Sequence, residues 1–184
     1  MHSRDPVLAS LQRLMAFAQA LQIYRMIIEI AREPKQTFWN MTINLLFDTV
    51  AVEWSKVFGS WRENTHWTKA LPPEQHDATR TALLAHLGLT PEQWAAEQDA
   101  VKTCRDEHVS HHDLASTIAK LPRYDFPYKA ARFMFERIRA IADQNCLGGI
   151  PKDLEVCSTH VASGMKVNVR KAHAATATLG SNVS

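Results

Sequence analysis

Apolar residues recur every three or four positions along most of this chain, the spacing of one face of an α-helix. From Val7 to Arg32 there is neither Gly nor Pro, and Val7, Leu11, Leu14, Ala18 and Leu21 fall on one stripe. The pattern predicts a long helix that Pro34 stops. A second helix is expected from about Phe38 to Phe58, with Thr37 as its cap and Gly59 past its end. On a helical wheel Trp39, Ile43, Leu46, Phe47, Val50, Trp54 and Val57 form one apolar arc, and Met41, Leu45 and Val52 form another nearly opposite. A helix that is apolar on two sides is buried on two sides. It belongs at the centre of a bundle, or between a bundle and a second subunit. Between the arcs runs a narrow polar strip of Asn44, Asp48 and Ser55, with Asn40 at its edge. Because an unpaired buried polar group costs about 1–3 kcal/mol, these residues must either form an internal hydrogen-bond network or face a site.

Beyond Gly59 the segment Ser60 to Pro73 is a polar, Trp-containing connection. A short amphipathic helix fits Glu74 to Leu87, ending at Gly88. Thr90-Pro91-Glu92 follows, with a capping hydroxyl, Pro at the first helical position and an acid in the first turn. The next helix runs from Pro91 to roughly Val109. Another spans Phe126 to Asn145 and is closed by Gly148-Gly149. After Pro151 the periodicity weakens, and Ala172 to Ser184, rich in Ala, Thr and Ser, reads as a frayed tail. No internal repeat is present. The expectation is an all-α, up-and-down bundle of four to five main helices over residues 1–150. Residues 151–184 form a weakly structured C-terminal extension or tail.

The 184 residues, 46% of them hydrophobic, fit one globular domain. Lys+Arg 21 against Asp+Glu 19 leaves a formal charge of +2, which excludes a strongly basic nucleic-acid coat or an acidic tail protein. The nine His make the actual charge depend on pH. Cys104, Cys146 and Cys157 are odd in number and form no CxxC, as expected of reduced thiols in a cytoplasmic protein. The polar N-terminus has no signal-peptide character, and no apolar run approaches a membrane span. The five Trp (Trp39, Trp54, Trp61, Trp67 and Trp94) are scattered rather than interleaved with basic residues, and are expected to anchor core and interface.

The candidate chemistry concentrates at Cys104-Arg105-Asp106-Glu107-His108-Val109-Ser110-His111-His112-Asp113. Arg carries a permanent charge on a planar fork matched to phosphate. A His six residues on titrates near neutrality and can move a proton. Arg105 and His111 are separated by about 9 Å of helical rise, and a break near Ser110 lets both converge on one ligand. A zinc site from Cys104, His108, His111 and His112 is an alternative, although structural sites draw on separated ligand pairs and no second pair is obvious. Solvated helix-end histidines are a third possibility. From Pro91 to Asp113 the acids Glu92, Glu97, Asp99, Asp106, Glu107 and Asp113 outnumber Lys102 and Arg105, net −4. From Lys120 to Arg139 the balance reverses: Lys120, Arg123, Lys129, Arg132, Arg137 and Arg139 against Asp125 and Glu136, net +4. Arg137 sits among Phe126, Ala130, Phe133 and Ile141, so it either snorkels from the apolar face or pairs with a buried acid, for which Asp48 is the candidate.

The run Arg105-Asp106-x(4)-His111, followed by His112-Asp113, resembles the Arg-polar-x(3–5)-His motif of the HEPN superfamily, closest to its abortive-infection toxin branch. Ser110 stands at that branch's usual Ala position, and Glu107-His108 stand where a basic pair is usual. The helix opening Phe38-Trp39-Asn40-Met41-Thr42, followed by Leu45-Leu46-Phe47-Asp48, is similar to the same branch. The resemblance covers about residues 7–145. It implies a HEPN-like helical bundle that pairs into a homodimer, with two motifs meeting in a cleft. It further implies a metal-independent endoribonuclease of toxin or phage-defence type, with RNA as substrate, an antitoxin protein as a possible partner and no cofactor. In that scheme His111 is the general base on a ribose 2′-hydroxyl, Arg105 holds the phosphate and Asp106 orients one of them. His112 also satisfies the looser family spacing for the base, and His112, His108, Asn44 and Asp48 are supporting residues. The alternative is a non-catalytic HEPN module that binds a protein partner or a nucleotide.

Overall fold

The computed structural model describes residues 5–31, 37–110, 124–142 and 147–179; at 107–110 and 177–179 it describes the backbone alone. Among the described residues there are seven α-helices and no strand. They are α1 (Pro6–Ile30), α2 (Thr37–Phe58), the single turn α3 (Trp67–Ala70), α4 (His76–Leu87) after a 3-10 turn at Pro73–Gln75, α5 (Pro91–Ser110), α6 (Asp125–Ile141) and α7 (Leu154–Leu179). The all-α bundle expected from periodicity is what forms.

Local chemistry fixes the ends. Asp5 caps α1 by accepting from the Val7 amide at 3.0 Å, with Pro6 at the first helical position. Gly88, at φ +67°, closes α4. Its amide donates to the Ala85 carbonyl and that of Leu89 to Leu84, a left-handed cap that satisfies two of the last carbonyls. Two residues later Thr90 and Gln93 close a reciprocal box: the Gln93 amide donates to Thr90 Oγ1 at 3.3 Å, and the Thr90 amide to Gln93 Oε1 at 2.8 Å.

The hub is α1 rather than α2. It packs on α2, α3, α6 and α7, and its buried residues (Leu11, Leu14, Phe17, Ala18, Ala20, Leu21, Met26 and Ile27) wrap most of its circumference. α2 presents one arc to this core. Trp39, Ile43, Phe47, Val50, Trp54 and Val57 are buried, and Leu46 is half-buried. The opposite arc is open at Met41, 55% exposed, and Leu45, 63%, with Phe38 beside them at 63%, while Val52 is half-buried. At the inner end Trp54 stacks on Phe58 at 4.9 Å, meets Trp94 edge-on at 5.8 Å, and donates its indole N–H to the Pro127 carbonyl at 3.2 Å. This joins α2, α5 and α6 around side chains that each contribute about 1.5–3 kcal/mol by burial.

α7 is the element that composition hid. The stretch from Ala172 to Leu179, expected as a frayed tail, is helical, and residues 180–184 lie outside the described residues. Asp153 starts the helix by accepting from the Val156 amide at 2.9 Å, and Leu154, Ser158 and Ala162 are buried. The far end is tied to α2, where Trp39 Nε1 donates to Thr176 Oγ1 at 2.9 Å and His173 meets the Trp39 ring. Lys166 adds an ion pair to Glu29 of α1 at 3.0 Å. Ala is the best helix former and tolerates close packing, so an Ala/Thr-rich stretch stays helical once a partner helix is available. No helix among the described residues is long and apolar enough to cross a membrane.

Candidate functional site

The motif helix α5 turns Trp94, Val101 and Cys104 into the core. Arg105 follows one step round the helix and sits at its border, with a third of its side chain exposed. Its Nε and Nη2 both donate to Asp106 Oδ1, at 2.8 and 2.6 Å. Among the described residues no other acceptor engages the guanidinium. A permanently charged fork, one third exposed and held by its own neighbour, can receive an anion without first leaving a buried partner. The His108 backbone continues α5, while His111 and His112 lie outside the described residues. Two of the four ligands of the alternative zinc reading therefore lie outside them as well.

Behind Arg105 the helices converge on a polar cluster of four residues, two of which, Tyr24 and Tyr124, sequence reasoning missed. Asp48, half-buried on α2, belongs to it, as do Tyr24 of α1, Cys104 of α5 and Tyr124, the residue that precedes α6. Burial pushes the Tyr124 hydroxyl well above the ordinary tyrosine range, aided by the Cys104 thiol, Tyr24 and Asp48. Burial also raises Tyr24, to about 12, with a contribution from Cys104. Tyr124 is 2% exposed, its ring lies against Phe17 and Phe47, and its hydroxyl, set beside the Cys104 thiol, has no well-formed hydrogen bond among the described residues. It is also the one non-glycine residue at positive φ among the described residues, at +55°, a conformation costly for a residue with a Cβ. A buried hydroxyl and a left-handed backbone thus coincide beside the motif helix. Asn44, one turn before Asp48, is half-buried on the same strip.

A second guanidinium flanks the cluster. Arg25 of α1 donates to Asp125 at 2.9 Å and lies over the Tyr128 ring at 5.6 Å. Tyr24 and Tyr124 were invisible in the sequence because a tyrosine on an apolar stripe reads as core. The one signal was the short run Tyr124-Asp125-Phe126-Pro127 at a helix start.

The basic segment after the motif is partly neutralised at home. Arg132 pairs with Glu155 at 2.6 Å, Arg139 donates to the Pro151 carbonyl at 3.0 Å, and Lys129 lies over Phe126. Arg137 is exposed and is not the buried partner of Asp48. The face of α6 that enters the core is centred on Pro127, Ala131, Met134 and Ile138. Phe126 and Phe133 are only half-buried and Ile141 is 40% exposed. The wheel of Phe126, Phe133 and Ile141 therefore marks a flank. Lys120 and Arg123 lie outside the described residues.

The tryptophans divide. Trp39, Trp54, Trp67 and Trp94 are buried anchors as expected, but Trp61 is 65% exposed. No disulfide joins Cys104 and Cys157; Cys157 instead accepts from Gln19 Nε2 at 3.6 Å. Comparison of the chain with models of known protein families, with curated proteins and with solved structures finds no match.

Proposed function

We propose that this chain is a metal-independent endoribonuclease of HEPN type, serving as a toxin or phage-defence factor in the cytoplasm. The observation that carries the proposal is the Arg105 fork: one third exposed, held on one edge by Asp106, and little more than a turn from the end of a packed helix in an all-α bundle. The resemblance supplies the remaining assignments. His111 takes the proton of a ribose 2′-hydroxyl, and the 2′-oxygen attacks the adjacent phosphorus. Arg105 holds the phosphate oxygens as charge builds on them. The 5′-oxygen leaves and is protonated from solvent, so one RNA chain becomes a 2′,3′-cyclic phosphate end and a 5′-hydroxyl end. His108 and His112 support proton transfer, and Asp48 and Asn44 form the wall behind.

A homodimer is part of the proposal. What supports it is the open arc of α2, where Phe38, Met41 and Leu45 present apolar surface next to Asp48. The same surface suits the second reading, a non-catalytic module that docks a protein partner such as an antitoxin. The test is the chemistry of the products. RNA treated with the purified chain in EDTA is expected to carry 2′,3′-cyclic phosphate ends, and fragments ending in 3′-hydroxyl and 5′-phosphate would sink the mechanism. Intact RNA at high enzyme concentration would favour the interaction module.

A further inference from the structure

Trp61 is placed where a folding core gains nothing from it. It occupies the second position of a tight turn, Ser60 to Glu63, in which the Glu63 amide donates to the Ser60 carbonyl at 3.0 Å and the Arg62 amide to Ser60 Oγ at 3.3 Å. The turn is anchored from behind, since Thr65 Oγ1 donates to the Lys56 carbonyl at 3.0 Å and Ser10 Oγ to the Thr65 carbonyl at 2.9 Å. The ring is 65% exposed at the tip of this braced turn. Two cations attend it: Lys69 Nζ lies 5.5 Å and the Arg62 guanidinium 5.9 Å from the ring centroid. Glu63 is the acid of the same turn, so the local charge is modestly positive.

An exposed indole on a rigid turn with two mobile cations at its faces matches what single-stranded nucleic acid requires. A base stacks on the ring, and its flanking phosphates meet the cations that the base displaces. We propose that the Trp61 turn is a base-stacking site for single-stranded RNA, separate from the Arg105 centre, with Arg62 and Lys69 as its phosphate contacts. The choice of RNA rests on the ribonuclease reading, but the site itself needs no cleavage. The chain just before this turn is tied to the motif helix. Gln98 of α5 donates to the carbonyl of Phe58, three residues before Trp61, at 2.6 Å. Arg105 is seven residues further along that helix, about 10 Å of rise from Gln98.

The test is the binding of end-labelled 12-nucleotide oligo(U) and oligo(A) to the full chain carrying Arg105→Ala, which keeps the RNA intact. Adding Trp61→Ala is expected to weaken binding about 5- to 100-fold, while Trp61→Phe retains most of it and Lys69→Ala lowers the salt slope by about 0.7. Because the side chain is at a turn tip, Trp61→Ala should leave thermal unfolding unchanged, which excludes misfolding as the cause. Binding within twofold of the parent after Trp61→Ala overturns the proposal, as does an equal loss with heparin as the probe. If the stacking result holds while cleavage by the otherwise native chain is indifferent to Arg105→Ala, the nuclease assignment fails and the RNA site stands.

Discussion

Three residues set the local energetics, and each makes a prediction. The buried Tyr124 hydroxyl has no well-formed hydrogen bond among the described residues, and desolvation of such a group costs about 1–3 kcal/mol. Tyr124→Phe removes that cost and keeps the ring contacts to Phe17 and Phe47. The variant is expected to hold or raise the urea midpoint, and a clear loss would mean that the hydroxyl has a partner. His66 is buried, and its pKa is pushed down to about 4 by burial first, then by Lys69, His76 and Arg80. The native ring therefore stays neutral while the unfolded ring gains a proton below about 6.5, so this contribution to stability is lost as pH falls from 6.5 towards 4. Urea midpoints measured over that window should decline for the wild-type chain and decline less for His66→Asn. Arg137, exposed on α6, should change stability by no more than about 0.5 kcal/mol when replaced by Leu. At this scale the sequence was legible where charge and spacing speak, as at Arg105 and Asp106. It was silent at Tyr24 and Tyr124, whose importance comes from four helices meeting.

At the scale of the element, caps and periodicity carried most of the information. α2, α4 and α5 begin or end at the signals of Gly59, Gly88 and Thr90-Pro91, whereas the Asp5-Pro6 start of α1 emerged only from the structure. Thr90→Ala removes one side of a reciprocal box and should cost about 1 kcal/mol of unfolding free energy. A denaturant midpoint that does not move would show the box to be idle. The reading of α2 as buried on two sides held for one arc only, because hydrophobicity alone does not say whether an apolar face packs within the chain. α7 was missed for the converse reason. A weakly amphipathic Ala/Thr helix is specified by what it lies against, here α1 and the Trp39 ring, and that partnership spans more than a hundred residues of sequence. Trp39→Phe breaks the bond to Thr176 while preserving most of the packing, and should increase amide exchange at the C-terminal end of α7 more than in α5.

For the whole molecule, one core unites α1 to α6 with Leu154 of α7, and the net charge of +2 is an average over an acidic motif helix and a basic helix after it. The open arc of α2 gives the dimer its test. Light scattering after gel filtration should return twice the chain mass for the wild type and the monomer mass for Leu45→Glu, with helix content unchanged. The central claim concerns Arg105 and its histidine. It is tested most directly by the rate of RNA cleavage in EDTA for the wild-type chain, Arg105→Ala and His111→Ala, each shown to unfold at the wild-type temperature. Cleavage by the wild type is expected, falling at least a hundredfold in both variants. Cleavage that is equal in all three, or that vanishes from the wild type when EDTA is added, would contradict it.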